Sequence, residues 1–339
     1  MTRIGVVTIG RNEGERVIRC LKSAIALLSQ DTPIIYVDSG STDGSVEAAE
    51  FLGVQVINLD MSRPFTMARG RNTGFRYLVE HFPDIKYVQF IDGDCELIPG
   101  WIEQAIETLD NDNKLAIACG RRRERFPDAS IYNRLADMEW NTPVGEAKAC
   151  GGDALIRVSA IREVNGYNET LIGGEEPEMC IRLRQRGWKI VRIDADMTYH
   201  DAAMLKFGQW WKRSIRGGWA VAEGAAMHGD PPERYMIREN LSGWMWGLFL
   251  PIVALGLAWF TSGLSLLLFL GYPVLMWRVY RYRQNDGDPP AHAGLYSLFC
   301  VLYKFPQVIG QINYWLTRWR GKPATLIEYK TPIIEGIEP

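Results

Sequence analysis

The sequence predicts an α/β fold with a mostly parallel sheet, followed by an α-helical C-terminal region. Two observations carry this prediction. Over roughly the first 235 residues, short apolar runs alternate with amphipathic segments, an alternation typical of parallel sheets with right-handed crossovers. From Asn240 to Trp277, in contrast, the chain carries no charged residue. We therefore divide the 339 residues into a domain over 1–235 and a membrane-attachment region over 236–339.

The predicted elements of the first domain follow from this alternation, read in chain order. Uninterrupted apolar runs predict strands that are buried on both faces, and the amphipathic stretches between them predict covering helices. The elements are a strand over 4–9, a helix over 13–28, a strand over 34–37, a helix over 45–52, a strand over 54–59, a helix over 66–81 and a strand over 87–91. Asp38 and Asp92 end two of these strands. Ligands of such sheets bind outside the carboxyl ends of the strands, so we expect both carboxylates in one crevice.

The uncharged stretch predicts two transmembrane helices, about 243–260 and 263–280, because one bilayer crossing takes about 20 apolar residues. Residues 261–263, Thr-Ser-Gly, supply the turn between them, and a buried helical hairpin of a soluble protein is the alternative. The three arginines of 278–283 indicate a cytoplasmic edge by the positive-inside rule. Polar residues interrupt the next apolar segment, 294–317, which we interpret as an interfacial helix, with a third crossing as the alternative.

Composition excludes several other classes of protein. Lysine and arginine number 38 against 40 acidic residues, a formal net charge of −2, so the overall charge gives no reason to expect a nucleic-acid partner. The six cysteines form no CxxC pair and predict free thiols in a reducing compartment. The first apolar run is too short for a signal peptide. We therefore expect a protein of the cytoplasmic (inner) membrane whose first domain faces the cytosol.

Two carboxylates separated by one glycine directly follow a predicted buried strand, in the segment Asp92-Gly93-Asp94. Carboxylates at i and i+2 can converge on one divalent cation, and the glycine permits a close approach of the ligand. Such an ion could bridge the phosphates of a nucleotide and neutralise a departing diphosphate. A simple turn is the alternative, because aspartate and glycine are common turn residues.

A second polar loop, Asp-Ser-Gly-Ser-Thr-Asp-Gly-Ser at 38–45, follows another predicted strand and opens a helix. The carboxylate of Asp38 can accept a hydrogen bond from a nucleobase, and Ser41 with the amides of the helix start offers donors. An ordinary helix N-cap is the alternative. Capping alone does not explain why Asp38 and Asp92 both end strands.

Six segments in this order resemble family 2 inverting glycosyltransferases of the GT-A fold, attached to C-terminal membrane helices. The segments are the Arg-Asn-Glu turn at 11–13, the polar loop at 38–45, ARGRNTG at 68–74, the DXD motif at 92–94, GGDALIR at 151–157 and GGEEPEMCIRLRQRGW at 173–188. The resemblance covers most of residues 1–220. It implies a GT2 enzyme that transfers a hexosyl group from a nucleotide-diphosphate sugar, with a UDP-sugar favoured.

The resemblance also implies roles for individual residues. The implied donor-binding residues are Thr8, Arg11, Glu13, Asp38, Arg71, Asp92, Gly93, Gly151, Gly152 and Asp153, beside Ser41 of the polar loop. Arg213 and Arg216 are further donor-binding candidates, because guanidinium groups suit the oxygens of a leaving diphosphate. The implied ligands of a Mg²⁺ or Mn²⁺ cofactor are Asp94, Asp92 and His200. A lone histidine is also common as a hydrogen-bonded structural residue, which is the alternative for His200. For Arg213 and Arg216 the alternative is a basic helix on a membrane surface.

Paired glutamates at 175 and 176 stand where the family usually has Glu-Asp. The resemblance implies Glu176 as the general base, and Glu175 remains the other candidate. An inverting transfer needs one carboxylate to take the proton of the acceptor hydroxyl, and like-charge proximity raises one pKa towards neutrality. The alternative is a solvated helix start, where acidic residues are also favoured. We interpret the basic run 121–125 as a solvated rim, with contact to anionic lipid or an acceptor phosphate as the alternative.

The sequence therefore predicts a metal-dependent inverting glycosyltransferase whose acceptor is a hydroxyl held near a membrane. Acceptors of that kind include a lipid-linked saccharide, a glycolipid or a precursor in exopolysaccharide (polysaccharide) biosynthesis. Two alternatives from other classes remain. One is an aspartate-dependent phosphatase or phosphotransferase that uses Asp92 and Asp94, and the other is a non-catalytic membrane scaffold.

Overall fold

The computed structural model describes residues 4–329, which form two compact units. The first runs to Ala203 and the second spans Met204–Tyr329. The division lies before the boundary at 235 expected from the sequence. The last ten positions of the predicted region 236–339 lie outside the described residues.

The first unit alternates strands and helices along most of its length. Its elements are β1 (Ile4–Gly10), α1 (Glu15–Leu27), β2 (Ile34–Asp38), α2 (Ser45–Phe51), β3 (Gln55–Asn58), α3 (Met67–His81), β4 (Tyr87–Asp92), β5 (Cys95–Leu97), α4 (Trp101–Asn111), β6 (Leu115–Glu124), α5 (Ile131–Trp140), β7 (Gly145–Ala147), β8 (Ala154–Arg157), α6 (Val158–Glu163), α7 (Glu175–Gln185) and β9 (Lys189–His200). The elements predicted up to residue 92 are found with ends shifted by at most two residues.

The strands form one mixed sheet in the order β3-β2-β1-β4-β8-β6-β9-β5, with β7 paired to β9. The half containing β1, β2, β3 and β4 is parallel, as predicted. The other half is mixed, where the sequence predicted a mostly parallel sheet: β6 and β9 pair in parallel, but β8 runs antiparallel to both β4 and β6, and β5 and β7 run antiparallel to β9. Strands β5, β7 and β8 are only three or four residues long.

Both faces of the sheet are covered, which explains the uninterrupted apolar runs of the strands. Along β1, Val7 packs into the cluster that contains Leu78 of α3, whereas Val6 packs into the cluster on the other face with Cys20 of α1. Successive strand residues point to opposite faces, so a strand between two helical layers needs apolar side chains at every position.

The second unit is helical. Its elements are α8 (Phe207–His228), α9 (Ile237–Trp244), a π-helical segment (Met245–Phe249), α10 (Leu250–Gly256), a 3₁₀ helix (Leu264–Leu270), α11 (Gly271–Asn285), α12 (Pro290–Leu302) and α13 (Lys304–Trp319). Helices α8 and α13 approach each other closely at glycines: a Cβ on Gly218 would lie 2.1 Å from the Gln307 carbonyl oxygen, and one on Gly310 would lie 2.1 Å from that of Ile215.

The structure corrects the prediction of two transmembrane helices at 243–260 and 263–280. Among residues 4–329, no helix combines the length and the apolar character needed to cross a bilayer. The first predicted helix is interrupted by the π-helical segment, next to Pro251, which has no amide hydrogen to donate to the helical pattern. The predicted segment 294–317 is likewise divided, between α12 and α13.

The uncharged stretch instead folds into an antiparallel hairpin of helical segments over residues 245–272, which we call the apolar hairpin. The hydroxyl of Tyr272 donates to the Trp246 carbonyl oxygen (2.5 Å), and that of Ser265 donates to the Ala254 carbonyl oxygen (2.7 Å). The predicted turn at 261–263 is confirmed, since Gly263 adopts φ +86°, a conformation suited to glycine.

Candidate active site

Two acidic residues lie at the same edge of the sheet, on either side of β1. Asp38 ends β2 opposite Gly10, and Asp92 ends β4 opposite Ile9. Neighbouring strands are about 4.8 Å apart, so the backbones of the two aspartates are separated by roughly 10 Å. The amide of Gly93 donates to the Ile9 carbonyl oxygen (2.8 Å), where a Cβ would come within 3.0 Å of that oxygen. The glycine therefore brings the turn after β4 against β1.

The Asp38 carboxylate organises the loop that follows it. One oxygen accepts hydrogen bonds from the Tyr36 hydroxyl (2.9 Å) and the Ser41 hydroxyl (2.5 Å), and the other accepts from the amides of Gly40 and Ser41 (both 2.8 Å). Ser41 Oγ in turn accepts from the amide of Asn12 (2.9 Å), in the turn after β1. The two predicted donor-binding loops are thus held together by hydrogen bonds.

Arg71, on α3, joins three carboxylates from separate parts of the chain. Its Nη2 lies 2.7 Å from Asp92 Oδ1, and its Nη1 lies 2.8 Å from Glu175 Oε1 and 3.0 Å from Glu176 Oε1. Only 2% of the Arg71 side chain is exposed. A guanidinium presents donors in a fixed planar fork, so one buried arginine can set the spacing of several carboxylates.

Arg122, on β6, is a site residue that the sequence analysis missed. Its Nη2 lies 3.1 Å from Asp153 Oδ2 and 3.5 Å from Asp92 Oδ2, so the interpretation of 121–125 as a solvated rim is wrong at this position. The pairing of β6 with β9 is irregular on both sides of Arg121, and such irregularities re-aim side chains. A run of five charged residues carries no signal for which one turns inward.

The carboxyl groups at the sheet edge have opposite shifts in pKa. Burial alone raises the pKa of Asp92, but the guanidiniums of Arg71 and Arg122 outweigh burial and lower it to about 2. Burial raises the pKa of Glu176 to about 7, with a further contribution from the charge of Glu175, against the opposing effect of Arg71. At neutral pH, Asp92 is therefore ionised while Glu176 can exchange a proton.

Glycine and aspartate at the start of β8 fit closely around this cluster. A Cβ on Gly152 would lie 2.5 Å from Asp92 Oδ2 and 2.7 Å from Arg71 Nη2, so only glycine fits there without displacing them. Asp153 accepts hydrogen bonds from the Asp92 amide (3.0 Å) and the Thr198 hydroxyl (2.7 Å). Gly151, the remaining predicted residue of this segment, is exposed.

Side chains that could hold a metal ion meet between β5 and β9. Two groups of three residues have ligand atoms within 4.8 Å of one another, Asp94 with Cys95 and His200, and Asp92 with Cys95 and Asp153. In the first group, Asp94 Oδ2 lies 3.3 Å from His200 Nε2. Carboxylate and imidazole groups are common ligands of divalent cations, so the residues fit a divalent metal cofactor. Cys95 was not predicted, although it directly follows the DXD motif.

The other predicted donor residues lie in or beside β1. Thr8 is fully buried, and its hydroxyl oxygen has no hydrogen-bond partner among residues 4–329. The guanidinium of Arg11 lies 4.5 Å from the centre of the Phe65 ring, and Glu13 pairs with Arg16 at 2.9 Å.

The last two predicted donor residues, Arg213 and Arg216, lie on α8 of the second unit. Arg216 places its guanidinium 4.7 Å from the centre of the Tyr329 ring. Their predicted contact with a diphosphate remains a prediction.

Two protein-family models match parts of this chain that contain the residues of the candidate site. The model of glycosyl transferase family 2 matches residues 6–162, and a model described as the N-terminal domain of galactosyltransferase matches residues 133–206. The first match begins within β1, ends within α6 and includes Asp38, Arg71, Asp92 and Asp153. The second includes Glu176 and His200.

The relatives of this chain are distant in sequence, and each of them matches it over only part of its own length. Glycosyltransferase AglE of Haloferax volcanii is 22% identical over 228 residues, 63% of this chain and 71% of that protein. The pre-mycofactocin glycosyltransferase of Mycobacterium tuberculosis is 25% identical over 58% of this chain, which spans 43% of that protein. The succinoglycan biosynthesis protein ExoA of Rhizobium meliloti is 26% identical over 51% of this chain and 55% of its own length.

A solved structure shares the fold over nearly the whole chain. The mannosyltransferase PcManGT from Pyrobaculum calidifontis, in complex with GDP-Man and Mn²⁺, superposes with a TM-score of 0.61 at 15% identity. The match covers 91% of this chain and 87% of that one. At this identity the likeness shows a common GT-A-like fold.

Fold, site and relatives together define this protein as a glycosyltransferase. More particularly, residues 6–162 match the model of glycosyl transferase family 2. The prediction of an enzyme of this class is confirmed.

Proposed function

We propose that the protein transfers a sugar, with inversion, from a nucleotide-diphosphate sugar to a hydroxyl group of a membrane-associated acceptor. The observation that carries the proposal is the position of Glu176. Its carboxyl group, with a pKa raised to about 7, lies 3.0 Å from the same Arg71 guanidinium that holds Asp92 of the DXD motif. A proton acceptor is thereby placed next to the residues proposed to bind the donor.

In the proposed reaction, Glu176 takes the proton of the acceptor hydroxyl while its oxygen attacks the anomeric carbon from the side opposite the leaving group. The new carbon–oxygen bond forms as the bond to the diphosphate breaks, and its electron pair leaves with the nucleoside diphosphate. A base with a pKa near 7 suits this step at neutral pH, because it is partly ionised and still binds the proton well. Arg71 orients the carboxylate for the transfer.

The donor is proposed to lie over the strand ends, with the base near Asp38 and the ribose near Asp92. Asp94 and His200 would hold the Mg²⁺ or Mn²⁺ ion, which when bound neutralises charge on the leaving diphosphate. The mannosyltransferase PcManGT, which has a similar fold, was solved in complex with GDP-Man and Mn²⁺, and this supports a nucleotide-sugar donor and a divalent ion here. A UDP-sugar stays our preferred donor on the resemblance alone.

A membrane-associated acceptor and a location at the cytosolic face of the cytoplasmic membrane are the second part of the proposal. Their support is the apolar hairpin, where Trp259 is 90% exposed and Phe260 is 82% exposed, in a stretch without charge from 240 to 277. Exposed apolar surface of this kind is typical of sites that meet a membrane or another protein. A lipid-linked saccharide, a glycolipid or an exopolysaccharide precursor would suit such a location.

The proposed reaction is tested by a screen of nucleotide sugars for donor hydrolysis and transfer, with Mn²⁺ or Mg²⁺ and without added metal. We expect Asp94→Ala to lose metal-dependent donor binding. Glu176→Gln should bind the donor normally but lose transfer by a factor of about 10² or more. Normal transfer by Glu176→Gln would assign the base to another residue, and a protein that turns over no nucleotide sugar would contradict the proposal.

A further inference from the structure

The pairing of β5 with β9 brings the thiol of Cys95 to the candidate metal site. Strand β5 runs antiparallel to β9, and Cys95 pairs directly with His200. Residues directly opposite in an antiparallel pair project to the same face of the sheet, so thiol and imidazole come together. Asp94, the preceding residue, completes the group.

Two separations within this group, each measured to a different oxygen of Asp94, are of the size found in a tetrahedral metal site. Metal–ligand bonds of about 2.0–2.3 Å at tetrahedral angles place ligand atoms about 3.3–3.7 Å apart. Cys95 Sγ lies 3.6 Å from Asp94 Oδ1, and His200 Nε2 lies 3.3 Å from Asp94 Oδ2. The third separation, between the thiol and the imidazole, is at most 4.8 Å and needs to shorten by no more than about 1.5 Å.

The imidazole of His200 directs Nε2 towards Asp94 and Nδ1 towards Glu124. Its side chain is only 8% exposed, and its Nδ1 has no hydrogen-bond partner among residues 4–329. Nδ1 lies 3.7 Å from Glu124 Oε2, while Nε2 faces Asp94. A carboxylate behind the outer nitrogen of a histidine is the usual arrangement around a metal-binding imidazole, because it orients the ring and leaves the other nitrogen for the metal.

We infer that Cys95 is a third metal ligand beside Asp94 and His200, and that the site therefore binds Zn²⁺ or Co²⁺ in preference to Mg²⁺. The inference rests on the proposed function only in placing the metal at this site. On binding, the metal–sulfur bond forms as the thiol releases its proton to solvent. A thiolate with an imidazole favours these ions, whereas Mg²⁺ prefers an octahedron of oxygens.

The test is the absorption spectrum of the full-length protein titrated with Co²⁺, compared with Cys95→Ser, Cys95→Ala and Cys119→Ser. A cobalt–thiolate bond produces a charge-transfer band in the near ultraviolet that oxygen and nitrogen ligands do not produce. We expect the band in the wild type and in Cys119→Ser, a matched buried cysteine outside the metal-ligand group, and its loss in both Cys95 variants. Cys95→Ala preserves an apolar core position if serine is not tolerated, and circular dichroism verifies folding.

A competition experiment gives a second readout. We expect the ratio of Zn²⁺ to Mg²⁺ affinity to fall by about 10–100-fold in the Cys95 variants, the size of effect seen when support for a metal site is removed. Cobalt that binds to the wild type without the band, or a band that survives in Cys95→Ala, would overturn the inference. Either result leaves the proposed transferase reaction intact, because that reaction is judged by turnover of nucleotide sugars.

Discussion

The side chain of Arg71 contacts three carboxylates of the candidate site. It is buried, and three carboxylates from β4 and α7 lie within 3.0 Å of its two terminal nitrogens. Removing it would leave buried carboxylates without their counter-charge, which costs far more than a surface ion pair. Such a residue couples the proposed donor-binding aspartate to the proposed base.

The pH dependence of transfer follows from the base. The pKa of Glu176 is raised to about 7, mainly by burial, and a general base must be ionised to act. We expect kcat to rise as the pH increases from 5 to 8, with a midpoint near 7. Initial rates at saturating donor measure this profile. Glu176→Asp, which keeps the carboxyl group, should retain a rise with pH, whereas a flat wild-type profile over this range would contradict the assignment.

Gly152 and Gly151 provide a matched pair of substitutions. In Gly152→Ala the new methyl group would lie 2.5 Å from Asp92 Oδ2, whereas in Gly151→Ala the nearest of the atoms around it is 3.9 Å away, on Arg122. We expect Gly152→Ala to lower the free energy of unfolding by about 1–3 kcal/mol and to weaken donor binding at least tenfold. Gly151→Ala should be the milder substitution in both measurements, by thermal unfolding and by titration with nucleotide. Equal effects of the two would show that the Asp92 cluster tolerates displacement.

The backbones of helices α8 and α13 lie nearly in contact, because glycine occupies the positions where the two helices meet. Gly218→Ala would bring a methyl group to 2.1 Å from the Gln307 carbonyl oxygen, and no side-chain rotation relieves a contact with backbone. We expect a loss of about 1–3 kcal/mol in the free energy of unfolding, despite the better helix propensity of alanine.

Gly294→Ala, on α12, is the control for that substitution. No atom lies within 4 Å of its added methyl group, so helix propensity alone acts and the protein should gain up to about 1 kcal/mol. Thermal unfolding of the full chain measures both variants. A stabilised Gly218→Ala would contradict the described approach of the two helices.

The apolar hairpin exposes large apolar side chains, among them Trp259 and Phe260. We expect the full-length protein to bind vesicles that contain anionic lipid, and the double variant Trp259→Ser, Phe260→Ser to bind at least tenfold more weakly. Burial of one large apolar side chain is worth about 1.5–3 kcal/mol, so loss of two supports a change of this size. Flotation with vesicles measures it.

Phe51→Ser is the matched control for the hairpin, because Phe51 is 92% exposed but lies on α2 of the first unit. We expect its vesicle binding to equal that of the wild type. If the hairpin variant changed the molecular mass in solution and left vesicle binding unaltered, the hairpin would instead be a contact between copies of the chain.

At the scale of the whole molecule, the same carboxyl groups link folding stability to pH. The pKa of Glu176 is about 7 in the folded protein against an ordinary 4.5, so the folded state binds this proton more tightly than the unfolded state does. Its contribution therefore lowers stability as the pH rises from about 4.5 to 7. Asp92 acts in the opposite sense, since its pKa is lowered to about 2, and its stabilising contribution is lost only as the pH falls below about 4.

Glu176→Gln isolates the first of these contributions. We expect the variant and the wild type to have similar melting temperatures at pH 5, and the variant to melt higher at pH 8, where it lacks the buried negative charge. Calorimetry at the two pH values tests this. A wild type that melts higher than Glu176→Gln at pH 8 would mean that the ion pair with Arg71 outweighs burial of the charge.

Local sequence patterns predict many of the strands and helices of the first unit. Apolar runs place β1, β2 and β4, and the alternation with amphipathic segments predicts the parallel half of the sheet, because buried strands and covering helices have different periods of hydrophobicity. The order of short motifs predicted a glycosyltransferase, which the comparisons bear out. The antiparallel strands β5, β7 and β8 escaped because three or four residues are too few to show a period.

What the sequence determined by itself is which residues end the strands and which segments lack charge. Only the tertiary structure decided that Arg122 turns inward, that Arg71 gathers Glu175, Glu176 and Asp92, and that Cys95 meets His200 across two strands. Each of these contacts joins residues far apart in the chain. Their directions depend on strand register and irregular pairing, which arise from packing of the whole sheet and leave no local periodic signal.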